Sequence, residues 1–400
     1  MPDYIIGPIA ELHTLSGGSG LRRGERMRDT GVLHNAAIAV IDDKIAEVGN
    51  ADEILKKYDL SGNPARLVTP GLVDAHTHIC WAGDRADEFL RRAQGESYQE
   101  IADKGGGILS TMRATREASV DDLAQNIAAR ASAMFESGST TIEVKASYGL
   151  SIDACKRELD ATLKAQDSTP ADLVPTFMGA HAFPPDHSKE EYLDLLCAEL
   201  IPMAAAHPAK AKFCDVFCEV GAFSVEESER VLQSGMTYGL KPKIHVDEFN
   251  DLGGVEMACS LGAVSCDHLL VTGETGKKAL AESNTAAVLM PGTAFYLGKP
   301  YADARGLVDA GCAVALGTDY NPGSSMVRSM ALTIGLAVAK QGLTPEEALT
   351  AATVNSAAAI DIDAGRIEPG MPASFVAWPC ASLAEFAWQF TYIQPERVYN

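Results

Sequence analysis

Eight short apolar runs recur along the chain: Gly71–His78, Thr140–Lys145, Val174–His181, Asp215–Val220, Lys243–Glu248, Ala263–His268, Ala287–Met290 and Ala313–Asp319. Helix-like segments separate them. Parallel strands need a crossover element between them, and helices supply it, so this alternation constrains the fold more than any single motif. Helix starts are marked where crossovers are needed. Ser119-Val-Asp-Asp places an N-cap before first-turn acids, and Thr344-Pro-Glu-Glu puts proline at the first helical position. Eight such strands fit a closed (β/α)8 TIM barrel better than an open sheet. Most runs carry a polar residue at or near the end: His78, Lys145, His181, Glu219, His245, His268, Asp319. In a barrel, reactive groups gather at the C-terminal strand ends.

The two ends of the chain read as β structure. Ala36–Ile41 and Lys44–Val48 flank Asp42-Asp43 as a hairpin, and the segment from Gly365 to Trp378 reads as a turn and then an apolar strand. A small β-sandwich domain is expected from residues 1–67 and 364–400, around a barrel at 68–363. A long helical connection runs from Ile79 to Ser139 and holds Gly105-Gly106-Gly107, which fits either a hinged lid or a plain loop.

A net charge of −21 makes nucleic acid and anionic membranes poor partners, and an anionic substrate would need its own local cation. No run approaches the roughly 20 apolar residues of a membrane span, and the first residues lack a signal-peptide pattern, so a cytoplasmic location is expected. Nine cysteines spread along the chain do not read as a disulfide framework, and Cys214 and Cys218 read as packing residues. Gly17-Gly-Ser-Gly and Gly276-Lys-Lys lack dinucleotide and P-loop spacing, so no nucleotide cofactor is expected.

His76-Thr77-His78 ends the first run. Residues two apart on a strand share a face, so both imidazoles can reach one ion in the barrel mouth. His245 near the end of the fifth strand and Asp319 at the end of the eighth complete a set of three imidazoles and a carboxylate. That set suits zinc or an iron ion with room for water. Glu248 lies three residues past His245 and can shuttle a proton; its bland alternative is a solvated loop carboxylate. His268 can polarise a carbonyl oxygen, or it is a hydrogen-bonded core histidine.

These residues, with Pro70-Gly-Leu-Val-Asp-Ala-His-Thr-His, resemble the metal-dependent amidohydrolase superfamily. Longer motifs are similar to its imidazolonepropionase family: Ala82-Gly-Asp-Arg-Ala-Asp-Glu-Phe, Lys145-Ala-Ser-Tyr-Gly-Leu, Gly179-Ala-His-Ala-Phe-Pro-Pro and Asp319-Tyr-Asn-Pro-Gly-Ser-Ser. The resemblance implies a barrel joined to a β-sandwich made from both chain ends, and a homodimer. It also implies hydrolysis of 4-imidazolone-5-propanoate to N-formimidoyl-L-glutamate, without ammonia release.

Carried over by position, it implies that His76, His78, His245 and Asp319 hold one divalent or trivalent metal ion, zinc or iron. Glu248, His268 and Asp319 would carry the catalysis. Arg85, Tyr98, Tyr148, His181, Asn321, Gly323 and Ser324 would bind the small anionic substrate. A guanidinium such as Arg85 can hold a propionate bidentately, although an arginine in this setting more commonly pairs with a neighbour such as Asp84 or Glu88. Tyr148 could equally be packing, and His181 a strand-end hydrogen bonder. Many superfamily members bridge two metals with a carboxylated lysine at the fourth strand end. Here that strand ends Phe-Cys-Glu-Val, so a single metal is expected.

Three positions depart from the family. Ala146-Ser147 replaces its usual Ser-Gly, Ser324 stands where threonine is frequent, and Glu248 where many members have glutamine. The first touches the expected substrate wall. Alternatives are a related deaminase, a hydrolase of a modified imidazolone, or a non-catalytic scaffold. Ammonia release, substrate range and metal content would tell them apart.

Overall fold

In the computed structural model, residues 1–96, 100–101 and 105–400 are described. The chain opens with β1 (Tyr4–His13), β2 (Val32–Ile41), β3 (Lys44–Asn50) and β4 (Asn63–Pro70). The β2–β3 hairpin turns through Asp42 and Asp43, both left-handed at φ 49° and 56°, the twist that joins antiparallel strands in two residues. After β4 come β5 (Leu72–Asp74), β6 (Ser139–Ala146), β7 (Asp172–Ala180), β8 (Phe213–Cys218), β9 (Lys241–Val246), β10 (Ser265–His268), β11 (Ala286–Leu289) and β12 (Ala313–Leu316). The chain ends with β13 (Phe375–Trp378) and β14 (Arg397–Tyr399).

Two sheets result. One has six strands in the order β14-β13-β4-β1-β2-β3, so strands from both chain ends lie side by side. Only the β1–β4 pair in it is parallel. The other has eight strands, in the order β5 to β12, with every neighbouring pair parallel. Helices alternate with these strands, and the expected helix starts hold. Ser119 forms a capping box with Asp122, and Thr344 forms one with Glu347 behind Pro345. The layer between strands and helices is apolar, with Phe177, Leu196, Val216, Leu232, Ile244 and Leu289 all buried. Cys214 and Cys218 pack in that layer, and all nine cysteines are free. The connection after β5 contains the helices Ala86–Ala93, Ile108–Glu117 and Val120–Phe135. No described helix is long and apolar enough to cross a membrane.

The barrel closes where β12 meets β5, just past the ends of both strands. Thr77 bridges Tyr320, Asp319 N donates to His76 O at 2.9 Å, and His78 N donates to Tyr320 O at 3.1 Å. The buried Asp74 clasps the same seam. Its carboxyl accepts from Thr318 Oγ1 at 2.6 Å, Thr318 N at 3.0 Å and His76 N at 3.3 Å. Burial pushes Asp74 up to a pKa of about 7, against the pull of those donors. Gly317 lets the two strand ends touch, since a Cβ there would lie 2.7 Å from His76 Cβ.

Asp74→Ala leaves two buried N–H groups and a hydroxyl without an acceptor. The expected loss is about 2–4 kcal/mol of unfolding free energy, read by urea denaturation with metal chelated. A loss below about 0.5 kcal/mol would mean that the clasp is not what holds the seam.

Candidate active site

The closed seam brings two imidazoles and a carboxylate together, and β9 adds a third imidazole. His76 and His78 follow β5, His245 lies in β9, and Asp319 follows β12. His78 Nε2 lies 3.3 Å from His76 Nε2 and 3.2 Å from His245 Nε2. Asp319 Oδ1 is 3.6 Å from His76 Nε2 and 3.7 Å from His78 Nε2. Asp319 is left-handed at φ 52° and His268 at φ 85°, backbone conformations that β-carbon sterics disfavour and that collect at working sites.

The remaining ring nitrogens settle what these contacts are. His76 Nδ1 meets Asp267 Oδ2 at 2.6 Å, His245 Nδ1 meets Asp215 Oδ1 at 3.0 Å, and His78 Nδ1 meets Ser147 Oγ at 2.9 Å. A carboxylate accepts, so the proton belongs on Nδ1 and the Nε2 lone pair points inward. Burial, with the neighbouring cationic groups, holds the pKa of His76 and His78 well below the ordinary histidine value. Neutral rings whose lone pairs face one another repel, unless a cation sits between them. Their spacing matches the roughly 3.3 Å between nitrogens that share a tetrahedral zinc at about 2.0–2.1 Å. The donor set therefore fits a metal ion. A further mark of a ligand site is His268 Nδ1, which is buried without a hydrogen-bond partner and lies 3.9 Å from Glu248 Oε1.

Below the imidazoles, the barrel interior holds a fully buried charged layer. Lys145 Nζ lies 2.6 Å from Asp215 Oδ2 and 2.8 Å from Glu143 Oε2. Lys243 Nζ lies 3.1 Å from Glu143 Oε1 and 3.8 Å from Asp267 Oδ2. Burial opposes the charge on Lys145, yet Asp215, Glu143 and Asp267 together hold its pKa above the ordinary lysine value. Burial likewise opposes ionisation of Asp215, but His245 and Lys145 hold its pKa below the carboxylate range. Burial pushes Asp267 up against the two lysines. Two other donor groups close enough for an ion, His76-Glu143-Asp267 and Asp215-His245-Asp267, include these carboxyls. The ammonium groups of Lys145 and Lys243 offset two of the three negative charges these carboxyls can carry.

The expected substrate residues fall into separate surroundings. His181 stacks on His78 with centroids 4.8 Å apart, donates Nδ1–H to Ser147 O at 3.1 Å, and is lowered to a pKa of about 3 by burial and His245. The Tyr148 ring lies 6.0 Å from His78 and 5.5 Å from His181, centroid to centroid, with its hydroxyl pushed up by burial. Arg85 pairs with Glu88 at 2.7 Å, and Gly323 presses on it, since a Cβ there would lie 2.2 Å from Arg85 Nη1. Arg85 and Tyr320 also line a cavity of about 430 Å³ with Trp81, Phe89, Arg130 and Tyr296.

Asn321 spends its amide on its own loop. Nδ2 donates to Asp319 O and Ser324 Oγ, and Oδ1 accepts from the backbone of Gly323 and Ser324. Tyr98 lies outside the described residues. Glu248 is pushed well above the carboxylate range by burial and the nearby Asp319 and Glu219. Its loop is held by Glu219, which accepts from Phe249 N at 2.9 Å and Asn250 N at 3.1 Å.

Sequence reading passed over Asp215, Asp267, Glu143 and Lys243, and it marked Ser147 as a departure at the substrate wall without its contact to His78. The signal was there for the first four. Each is a charged residue inside a short apolar strand, and no such residue survives burial without a partner.

A model of the amidohydrolase family matches residues 266–397. The chain is 46% identical over 385 residues to an imidazolonepropionase of Symbiobacterium thermophilum, covering 94% of this chain and 90% of that protein. It is 40% identical over 410 residues to one of Geobacillus kaustophilus, covering 100% and 96%. Among solved structures, a Helicobacter pylori aminofutalosine deaminase superposes with a TM-score of 0.70 at 15% identity, over 99% of this chain and 98% of that one. A Xanthomonas campestris adenosine deaminase with bound zinc superposes at 0.69 and 18% identity, over 100% and 91%. The two structures share the fold.

The charged layer makes a direct prediction. Lys145→Met removes the cation between Glu143 and Asp215 and leaves buried carboxylates uncompensated. Metal-free protein should lose about 3–5 kcal/mol in urea denaturation. A loss under about 1 kcal/mol would show that the layer is not held by that ion pair.

Proposed function

This chain belongs to the imidazolonepropionase family, and we infer that it hydrolyses 4-imidazolone-5-propanoate to N-formimidoyl-L-glutamate, a step of histidine degradation. The observation that carries the mechanism is the convergence of His76 Nε2 and His245 Nε2 on His78 Nε2 at 3.3 and 3.2 Å, with Asp319 Oδ1 3.6 Å from His76 Nε2 and 3.7 Å from His78 Nε2. In this reading His76, His78, His245 and Asp319 hold one ion, zinc or iron by ligand type. Bound there, it would supply Lewis acidity and bring the pKa of a coordinated water toward 7.

The rest falls to the chain's own side chains. Asp319 takes up the attacking water's proton. Thr293 Oγ1 donates to its Oδ2 at 2.8 Å and orients the carboxylate for that role. His268 presents its unpartnered Nδ1 toward the ring carbonyl oxygen, where developing negative charge needs a donor. Glu248, raised by burial and 3.9 Å from His268, holds the proton that the departing ring nitrogen requires. Oxygen from water joins the carbonyl carbon, the adjacent C–N bond opens, and the nitrogen stays in the product, so no ammonia forms.

Arg85 would bind the propionate, sharing its guanidinium with Glu88, while Tyr148 and His181 wall the ring. We assign the catalytic unit to residues 68–363 and the accessory β domain to 1–67 with 364–400.

The test uses imidazolone propionate generated in situ from urocanate, with ultraviolet absorbance and ammonia followed together. Metal-loaded wild type should consume it faster than the spontaneous rate without ammonia, and His245→Ala should fall to background. Arg85→Gln should raise KM about 10–100-fold, the equivalent of about 1.5–3 kcal/mol for a hydrogen bond to a charged group. Ammonia release, or no acceleration by metal-loaded wild type, would overturn the substrate assignment.

A further inference from the structure

His78 is the imidazole on which the donor cluster is centred, because its Nε2 lies within 3.3 Å of both His76 Nε2 and His245 Nε2. For that nitrogen to offer a lone pair, Nδ1 must carry the proton and something must accept it. The other two rings use carboxyl groups in the barrel strands, Asp267 and Asp215. His78 uses a hydroxyl: the hydrogen-bond partner of its Nδ1 among the described residues is Ser147 Oγ, at 2.9 Å. Ser147 is fully buried, so water does not compete for the contact. The Ala146-Ser147 substitution that marks this chain therefore turns its new side chain toward a metal-site imidazole.

Ser147 sits just beyond the end of β6, where a turn would ordinarily be free to shift. Glu158, fully buried on the helix Ile152–Gln166, removes that freedom. Its carboxyl accepts from the backbone N–H of Ser147 at 3.3 Å, Tyr148 at 2.9 Å and Gly149 at 2.9 Å. The carbonyl of Ser147 accepts from His181 Nδ1 at 3.1 Å, and His181 stacks on His78. One residue thus orients two neighbouring imidazoles, His78 through its hydroxyl and His181 through its carbonyl.

We propose that Ser147, pinned by Glu158, is a positioning residue that fixes the tautomer and ring angle of His78 and so sets the affinity of the site for its metal ion. A hydroxyl does this without adding a fourth carboxylate to Glu143, Asp215 and Asp267. The proposal rests on the metal reading given above, and its test is independent of the identity of the substrate.

The experiment titrates metal-free protein with Zn²⁺ in competition with a chromophoric chelator, for wild type, Ser147→Ala and Ser147→Cys. The visible spectrum of Co²⁺-loaded protein and the thermal midpoint of metal-free protein are recorded in parallel. Loss of the contact from a ligand histidine to its outer partner typically weakens metal binding about 10–100-fold. That is the expected loss for Ser147→Ala, with a changed Co²⁺ spectrum and an unchanged metal-free midpoint. Ser147→Cys, which keeps a weaker acceptor, should fall between. Equal Zn²⁺ affinity and identical Co²⁺ spectra in all three proteins would overturn the positioning role and leave the metal site standing. A wild-type chain that takes up no Zn²⁺ or Co²⁺ would overturn the metal reading and this inference with it.

Discussion

A parallel barrel must bring its first strand against its last, and in this chain the seam and the reactive cluster are one structure. Asp74 and Thr318 clasp the strand ends, and Gly317 lets them touch. His76 O and Tyr320 O then accept the two backbone bonds that finish closure. His76, His78 and Asp319 are carried on the residues that make those bonds. Their mutual distances are therefore set by the closing of the barrel itself, which is how a site can be held rigid without its ligand.

Chemistry is layered along the barrel axis. The imidazoles form one layer, and immediately beneath it lie five ionisable side chains that a barrel interior normally replaces with aliphatic ones. Lys145 and Lys243 make that burial tolerable for Glu143, Asp215 and Asp267. Asp215 and Asp267 in turn reach up to His245 and His76, so the charge balance of the lower layer governs the lone pairs of the upper one.

Much of this was legible in the residues. The eight strands overlap the eight apolar runs, and the Asp42-Asp43 turn and the caps at Ser119 and Thr344 follow from local stereochemistry. The histidines could be grouped because strand ends meet in a barrel mouth. Partnerships across the barrel could not. Nothing in the local pattern around Asp267 says that it faces His76, 191 residues away, since that depends on strand order and register. Ser147 is similar, for a turn residue gives no sign of its direction until Glu158 is seen to hold it. Asn321 was legible as part of the loop but not as its organiser, because its hydrogen bonds close within four residues.

Anomalous diffraction from crystals of metal-loaded protein, recorded at the zinc and iron absorption edges, addresses the central claim most directly. The account predicts one peak per chain, within bonding distance of His76 Nε2, His78 Nε2, His245 Nε2 and an Asp319 carboxyl oxygen. A peak among Glu143, Asp215 and Asp267, or two peaks per chain, would contradict it.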